Sequence, residues 1–156
     1  MTTVTFVERM AAAFGAAGFP RQPARVFSAL LLDDDGRMTA AELTATLGIS
    51  AASVSGAVRY LEQVGMVRRE REPGGRRDVY VVDEDTWQGA LRSGARVYAP
   101  LLAAMDVGVE SLDPHHPARS RLVLTREFLR FVTEEMEALT VRWEARRREL
   151  LAELEG

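Results

Sequence analysis

The sequence predicts a mainly α-helical protein with one small β-hairpin. Apolar residues recur at three- and four-residue spacings through most of the chain, which is typical of amphipathic helices. The run Asp78 to Val82, DVYVV, follows a turn and is rich in β-branched and aromatic residues, which indicates a hairpin. From Leu122 the apolar residues repeat in alternating steps of three and four, which is typical of a long helix that packs on a partner helix.

The N-terminal part is predicted to contain three helices. Thr3 to Ala17 forms the first, which ends at the Gly- and Pro-rich stretch GAAGFPRQP. Ala24 to Leu32 forms the second, and DDDGR after it is a turn. Thr39 is the expected N-cap of the third, where Glu42 completes a capping box, and Gly48 ends this helix. The first helix has an apolar face made of Val4, Phe6, Val7, Met10 and Phe14.

A fourth helix and a hairpin are predicted to follow. Ser50 is expected to cap the helix AASVSGAVRYLEQVG, which closes at Gly65. Met66 to Arg71 and Asp78 to Val82 are predicted strands, joined by a turn over Glu72 to Arg77. Two short helices joined by LGIS and followed by a hairpin give the order of a winged helix–turn–helix.

The C-terminal part is predicted to be helical. Glu84 to Met105 forms one helical stretch, in which Pro100 either kinks the helix or starts a new one. MDVGVESLDPHHPARS is a predicted linker, and Arg121 to Glu155 a single long helix. Phe128 and Phe131 widen the apolar series of this helix, which is expected to bind a partner helix. The series is Leu122, Thr125, Leu129, Val132, Met136, Leu139 and Trp143, with Leu150 continuing it after an interruption at Arg146.

Charge is placed unevenly along this acidic chain, whose net charge is −3. Ser50 to Val82 holds six Arg against four acidic residues, which gives +2, whereas the remainder holds fourteen Arg against nineteen acids, which gives −5. All 20 basic residues are Arg, whose planar guanidinium suits phosphate or carboxylate. Such local asymmetry is typical of a nucleic-acid-binding surface.

The fourth helix has an outward face suited to DNA. With Val54 at 0° and 100° per residue, Ala57, Val58 and Leu61 lie within about 60° of it and form the buried side. The opposite side carries small residues and hydroxyls over its first half, so the helix N-terminus can enter a major groove. Free N–H groups there favour phosphate. The candidate DNA-binding residues of this helix are Ser50, Ala51, Ala52, Ser53, Ser55, Gly56, Arg59 and Tyr60.

Individual roles follow from side-chain chemistry. Ser53 and Ser55 can bind phosphate or bases, and Tyr60 is expected to contact the DNA backbone. Arg59 is suited to a bidentate contact with guanine. The alternative is a small amphipathic helix that packs on another part of the protein.

The hairpin tip, REREPGGRRDVY, is the predicted wing and would meet the sugar–phosphate edge or the minor groove. Arg68 and Arg69 alternate along the strand, so only one of them is expected to face DNA. Asp78 is expected to pin Arg76 or Arg77 rather than touch DNA. The arginines best placed to reach DNA are Arg71, Arg76 and Arg77.

The stretch DDDGRMTAAELTATLGISAASVSGAVRYLEQVGMVRREREPGGRRDVYVV resembles the winged helix of the MarR superfamily of bacterial transcription regulators. The wing end GRRDVY and the following Trp87 are most similar to the GbsR-like branch, and the resemblance covers Thr39 to Trp87. It implies a homodimer built on N- and C-terminal helices that binds a pseudo-palindromic operator. It also implies a small-molecule effector between the dimer helices and the DNA-binding lobe. The common MarR wing usually has Asp before its key Arg, whereas here Gly75 precedes Arg76.

We therefore expect three regions: 1–22 as an N-terminal dimerisation helix, 23–83 as the winged helix–turn–helix, and 84–156 as a C-terminal helical dimerisation region. The predicted function is a sequence-specific, homodimeric transcription regulator of double-stranded DNA. One alternative is a winged-helix interaction module that docks a partner protein through the same face. A weaker one is a small-molecule-binding protein whose DNA role is vestigial.

Other function classes find little support. Cys is absent, the only two His are adjacent, and no Gly-rich phosphate loop is present, so neither an enzyme nor a cofactor is expected. No apolar run approaches the ~20 residues that span a bilayer, and MTTVTFVERM is unlike a signal peptide, so a cytoplasmic location is expected. Packing in the core or dimer is favoured over lining an effector pocket for Trp87, Tyr98 and Trp143.

Two motifs resemble metal sites. DDDGRMTAAE approaches a calcium loop, but the first ligand position falls on Leu31 and Glu42 already serves the capping box, so a turn is the preferred interpretation. LDPHHP brings Asp113, His115 and His116 together, but adjacent His side chains rarely converge on one ion, so a polar linker is preferred. No metal is therefore predicted.

Overall fold

The computed structural model describes residues 3–72 and 74–154 of the chain. Pro73 of the wing turn, Glu155 of the predicted last helix, and the outermost residues of the predicted regions 1–22 and 84–156 lie outside the described residues. In chain order the elements are α1 Thr3–Ala16, α2 Arg21–Leu32, β1 Arg37–Thr39, α3 Ala40–Leu47, α4 Ala51–Gln63, β2 Arg68–Arg71, β3 Asp78–Val81, α5 Thr86–Ala95, α6 Tyr98–Ser111 and α7 Arg119–Leu154.

The chain divides into two compact units, Met1–Ala90 and Leu91–Gly156. In the first unit, α2 packs against α1 on one side and against α4 on another. Its largest fully buried side chains are Phe27, Leu30, Leu43 and Leu61. The predicted fold class, mainly α with a small β element in a winged helix–turn–helix, is confirmed.

The helix–turn–helix has the predicted caps. The Thr39 backbone N–H donates to Glu42 Oε2 at 2.6 Å, and the Glu42 N–H donates to Thr39 Oγ1 at 3.3 Å, which is a capping box. Gly48 ends α3 with φ 61°, a left-handed conformation that glycine adopts without a Cβ penalty. Gly48 thus begins the short turn that joins α3 to α4.

The second helix begins earlier than predicted, at Arg21 rather than Ala24. The prolines of GAAGFPRQP were expected to lie outside the helices. Pro23 instead lies in the first turn of α2, where a backbone N–H has no acceptor within the helix, so proline is tolerated.

The sheet has a third strand that the hairpin prediction missed. All three strands are antiparallel and their order is β1-β3-β2, with Met38 and Arg69 on either side of Tyr80. β1 is only three residues long and has no alternating apolar pattern, so its strand conformation depends on pairing with the distant β3. β2 and β3 correspond to the predicted wing strands.

In the second unit, α6 packs against α7. The helical stretch after Glu84 breaks at Arg96 and Val97, and Pro100 lies in the first turn of α6, so the new-helix alternative holds. α6 continues to Ser111, so the predicted linker over residues 105–120 began too early. Gly108 lies on the side of α6 that packs on α7: a Cβ at this position would contact Leu122 at 3.8 Å.

Polar contacts also join α6 and α7. Arg126 and Arg130 each lie 3.5 Å from Asp106. The Arg119 guanidinium donates to the carbonyls of Val109 and Leu112 at the C-terminal end of α6. These bonds supply donors to carbonyl groups at a helix end, which no backbone N–H of the helix itself reaches.

Candidate nucleic-acid interface

The exposed face of α4 starts at a capped N-terminus. The Ser53 backbone N–H donates to Ser50 Oγ at 3.2 Å, and the two serine hydroxyl oxygens lie 2.9 Å apart. Ser50 is therefore the N-cap, as predicted, and supplies an acceptor to one of the orphan N–H groups of the first turn. The half-buried Ser53 hydroxyl is bonded to this cap, whereas Ser55 is exposed.

The predicted division of α4 into two faces is confirmed. Val54, Ala57, Val58 and Leu61 are buried in the core. A Cβ added to Gly56 would meet no atom within 4 Å, so the opposite surface is open. Such a surface of small side chains fits the close approach of a helix to base edges. Its exposed residues are Ala51, Ala52, Ser55, Gly56, Arg59 and Gln63.

Tyr60 differs from the other candidates because its ring is packed. It is half-buried and meets the Phe19 ring edge-on, with the centroids 5.1 Å apart. Phe19 in turn contacts Phe14, whose ring stacks on Trp87 at 6.1 Å. Trp87 thus has the packing role that the sequence favoured, although 57% of it is exposed.

Arg68, at the base of the wing, is bound within the protein. Its Nε and Nη2 donate to the two carboxylate oxygens of Asp83 at 2.5 and 2.8 Å, and it also pairs with Glu70. The other oxygen of Glu70 accepts from Arg37 at 2.8 Å. The hydrogen bond from Arg68 holds the pKa of Asp83 below its usual range, against the opposing effect of burial.

Arg69 is also bound, on different partners. Its Nη2 donates to Glu62 Oε2 at 3.0 Å, Nη1 lies 3.5 Å from Asp78 Oδ2, and the guanidinium carbon lies 5.6 Å from the centroid of Tyr80. The hydrogen bond to Glu62 is the largest cause that raises the pKa of Arg69. Asp78 was expected to pin Arg76 or Arg77, and this expectation is wrong because its observed partner is Arg69.

The other arginines of α4 and the wing are exposed: Arg59 lies on α4, and Arg71, Arg76 and Arg77 lie at the wing tip. Within 3–72 and 74–154, the side chains of Arg59, Arg71 and Arg76 make no ion pair or hydrogen bond. The pKa of Glu42 is lowered chiefly by hydrogen bonds from Thr39, with a smaller electrostatic contribution from the nearby Arg77.

The wing therefore separates its cations into two groups. Cations at the base are neutralised by acids of the same lobe, and cations at the tip are available to an external anion. The tip arginines were predicted from the sequence, whereas the role of Glu62 as the partner of Arg69 was not. The role of Arg37 was not predicted either, because the pairing of Arg37 with Glu70 depends on the unpredicted strand β1.

The two metal-like motifs have other roles in the structure. Asp33 Oδ1 accepts from the backbone N–H groups of Asp35 and Arg37, which shapes the turn before β1. His116 Nδ1 accepts from the Ala118 N–H. Within the described ranges no three His, Asp or Glu side chains gather as metal ligands would. None of the helices in those ranges is both long and apolar enough to cross a bilayer.

Two family models match the chain. Residues 17–78 match a model described as MarR family, and residues 85–146 match one described as MmpR5-like MarR family transcriptional regulator. Together they cover the helix–turn–helix, the wing as far as the first residue of β3, and most of the C-terminal helices. The GbsR-like branch stays a prediction.

Individual proteins and solved structures are also similar to this chain. An uncharacterized HTH-type transcriptional regulator of Bacillus subtilis (strain 168), YcgE, is 40% identical over 80 residues, which are 51% of this chain and 49% of that protein. The chain thus spans about half the length of this curated relative. A crystal structure of a transcriptional regulator matches with a TM-score of 0.79 and 28% identity over 92% of this chain and 98% of that chain. The DNA complex of Sco3205, a MarR family regulator of Streptomyces coelicolor, matches with a TM-score of 0.44 and 24% identity, over 85% of this chain and 80% of that one.

Proposed function

The chain belongs to the MarR family of transcriptional regulators, and we propose that it acts as a homodimer that binds a pseudo-palindromic operator in double-stranded DNA. Each subunit would insert the N-terminal half of α4 into a major groove and lay its wing on the adjacent backbone. The geometry expected of such a dimer places the two recognition helices about one DNA turn, ~34 Å, apart.

One observation carries the proposal: the cations without partners in the described lobe flank an open helix face. Arg59 lies on that face and Arg71 and Arg76 lie at the wing tip, whereas Arg68 and Arg69 are neutralised. Unneutralised guanidinium groups around a surface of small residues fit a polyanion that is read at close range. Because the arginines of this lobe that lack partners among the described residues are concentrated on this one surface, a chain with a negative net charge can still bind a nucleic acid there.

The homodimer is proposed from the second unit. α7 is 36 residues long and none of its residues is buried in the single chain. Leu124, Phe128 and Phe131 are respectively 70%, 63% and 59% exposed and lie on one face at i, i+4 and i+7. Exposed apolar side chains in such an arrangement favour burial against another helix, and a second copy supplies one. α1 is proposed to take part as well.

The finer organisation is part of the same proposal. Regions 1–22 and 84–156 would form the dimer and 23–83 would bind DNA, with Ser50, Ala51, Ala52, Ser53, Ser55, Gly56, Arg59, Tyr60, Arg71, Arg76 and Arg77 at the interface. The protein would act in the cytoplasm without a catalytic activity or a bound cofactor, as befits a family of regulators. A small-molecule effector that alters the separation of the two α4 helices would alter operator affinity.

Salt-dependent binding to a labelled mixed-sequence duplex tests the proposal. A regulator that contacts phosphates binds this duplex with an affinity that falls steeply as salt rises. A module that docks a partner protein would leave the duplex unbound at every salt concentration, which would overturn the proposal.

A further inference from the structure

The Arg69 side chain connects the recognition helix α4 to both strands of the wing. It extends from β2, donates to Glu62 in the last turn of α4, and lies beside Asp78 at the start of β3. Its guanidinium also lies over the ring of Tyr80, the residue directly opposite it in the β2–β3 register. Three elements of the DNA-binding lobe therefore meet at one planar cation.

The partners of Arg68 show that this connection is specific to one side of the strand. Arg68 precedes Arg69 on β2, so its side chain leaves the opposite face of the sheet. It binds Asp83 and Glu70, both of which lie in or next to the sheet itself. Arg68 thus fixes the base of the wing internally, whereas Arg69 reaches across to the helix.

We propose that Arg69 is a positioning residue: through Glu62 it fixes the wing relative to α4, so that Arg59 and the tip cations Arg71 and Arg76 meet one DNA duplex together. The inference rests on the proposed DNA-binding function. It assigns to Glu62, an acid close to the DNA-binding face, a favourable effect on DNA affinity.

The direction of this effect on DNA affinity distinguishes a positioning role of Arg69 and Glu62 from a purely electrostatic one. Removal of an acid near a DNA-binding surface ordinarily strengthens binding, because it removes repulsion from phosphate. Removal of Glu62 is expected to weaken binding instead, because the wing loses its fixed angle and must be ordered when DNA binds.

Glu72 offers a matched control. It is an exposed acid of the wing turn, and in the described part of the chain its side chain has no ion pair. Glu62→Ala and Glu72→Ala remove the same charge from the same lobe. Alanine also favours helix, so Glu62→Ala does not weaken α4 itself.

The first measurement uses the free full-length protein and needs no DNA. Backbone hydrogen exchange over residues 68–81 is expected to be faster in Glu62→Ala and in Arg69→Gln than in the wild type, and unchanged in α2. A wing that exchanges at the wild-type rate in both variants overturns the inference, whatever the protein binds.

The second measurement is affinity for the labelled mixed-sequence duplex. Glu62→Ala is expected to bind about threefold to tenfold more weakly than the wild type, which is the size of effect expected for a small ion-pair network. Glu72→Ala is expected to bind as tightly as the wild type or more tightly. In the double variant, the effects of Glu62→Ala and Arg69→Gln should not add, because each removes the same link. Arg69→Gln should leave the salt slope unchanged.

The outcomes distinguish failure of the positioning role from failure of the proposed DNA-binding function. Tighter binding by Glu62→Ala, or a slope that falls by about 1 in Arg69→Gln, makes Arg69 a phosphate contact and overturns the positioning role. Failure of the wild type to bind any duplex overturns the proposed function, and the exchange measurement then decides by itself whether Arg69 fixes the wing.

Discussion

Arg68 binds Asp83 through two guanidinium nitrogens, with Nε 2.5 Å and Nη2 2.8 Å from the two carboxylate oxygens. This bidentate pair joins the first residue of β2 to the segment that follows β3. It stabilises the wing base and removes Arg68 from the cations available to DNA. The chain therefore uses arginine both to build its wing and, in our proposal, to bind DNA with it.

Acid should weaken the contribution of this pair to stability. The pKa of Asp83 is lowered in the folded state, so its contribution is complete above the usual aspartate pKa of about 4 and is lost as the pH falls through the folded-state value. Asp83→Asn should lower the unfolding free energy at pH 7 by about 0.5–1 kcal/mol, within the range for exposed pairs. The difference should shrink below about pH 4 in urea titrations; a constant difference down to low pH would contradict the pairing.

Substitution of the wing-tip arginines should weaken binding to all DNA sequences. Arg71, Arg76 and Arg77 are proposed phosphate contacts, and each Ala variant should lower the slope of log affinity against log salt by about 1. Arg68→Gln is the control, since Arg68 is already neutralised, and its slope should match that of the wild type. An undiminished slope after loss of Arg76 and Arg77 together would refute the role of the tip.

Arg59→Ala should change sequence preference rather than general affinity. Arg59 is exposed on the open face of α4 and has no partner among the described residues, so it is free to contact a guanine. Loss of a bidentate contact should cost ~1–3 kcal/mol of discrimination at one base pair per half-site. Binding to a panel of single-base variants of a selected site measures this cost, and an unaltered preference at every position would exclude the contact.

The exposed face of α7 should control assembly. Phe131→Glu places a charge among the exposed apolar residues of that helix and should convert the proposed dimer to a monomer in light scattering at micromolar concentration, with little loss of helical circular dichroism. Glu144→Ala, an exposed position on another side of α7, should remain dimeric. A Phe131→Glu variant with the wild-type mass would show that this face is not the interface.

Local patterns in the sequence were sufficient to predict the helix–turn–helix. Thr39 and Glu42 are three residues apart, Gly48 ends its own helix, and the buried face of α4 follows from helical spacing alone. Those features depend on residues close together in the chain, so they can be predicted from local sequence patterns.

Features that depend on distant residues were missed. β1 is a strand because Met38 lies opposite Tyr80, 42 positions further along the chain, and no local signal marks it. The partner of Asp78 was assigned to its sequence neighbours, whereas the fold brings Arg69 to it across the sheet. α6 extends beyond its predicted end, and Gly108, which was expected in a linker, lies on the side of α6 that packs against α7.

Selection of bound duplexes from a random DNA pool shows whether the protein binds a specific, symmetric operator. The proposed dimer predicts an enriched site with two inverted half-sites whose centres lie about one helical turn, 10–10.5 base pairs, apart, and loss of the preference at one base pair of each half-site in Arg59→Ala. A pool that stays random after repeated rounds, or a single unsymmetrical site that Arg59→Ala selects equally well, would contradict it.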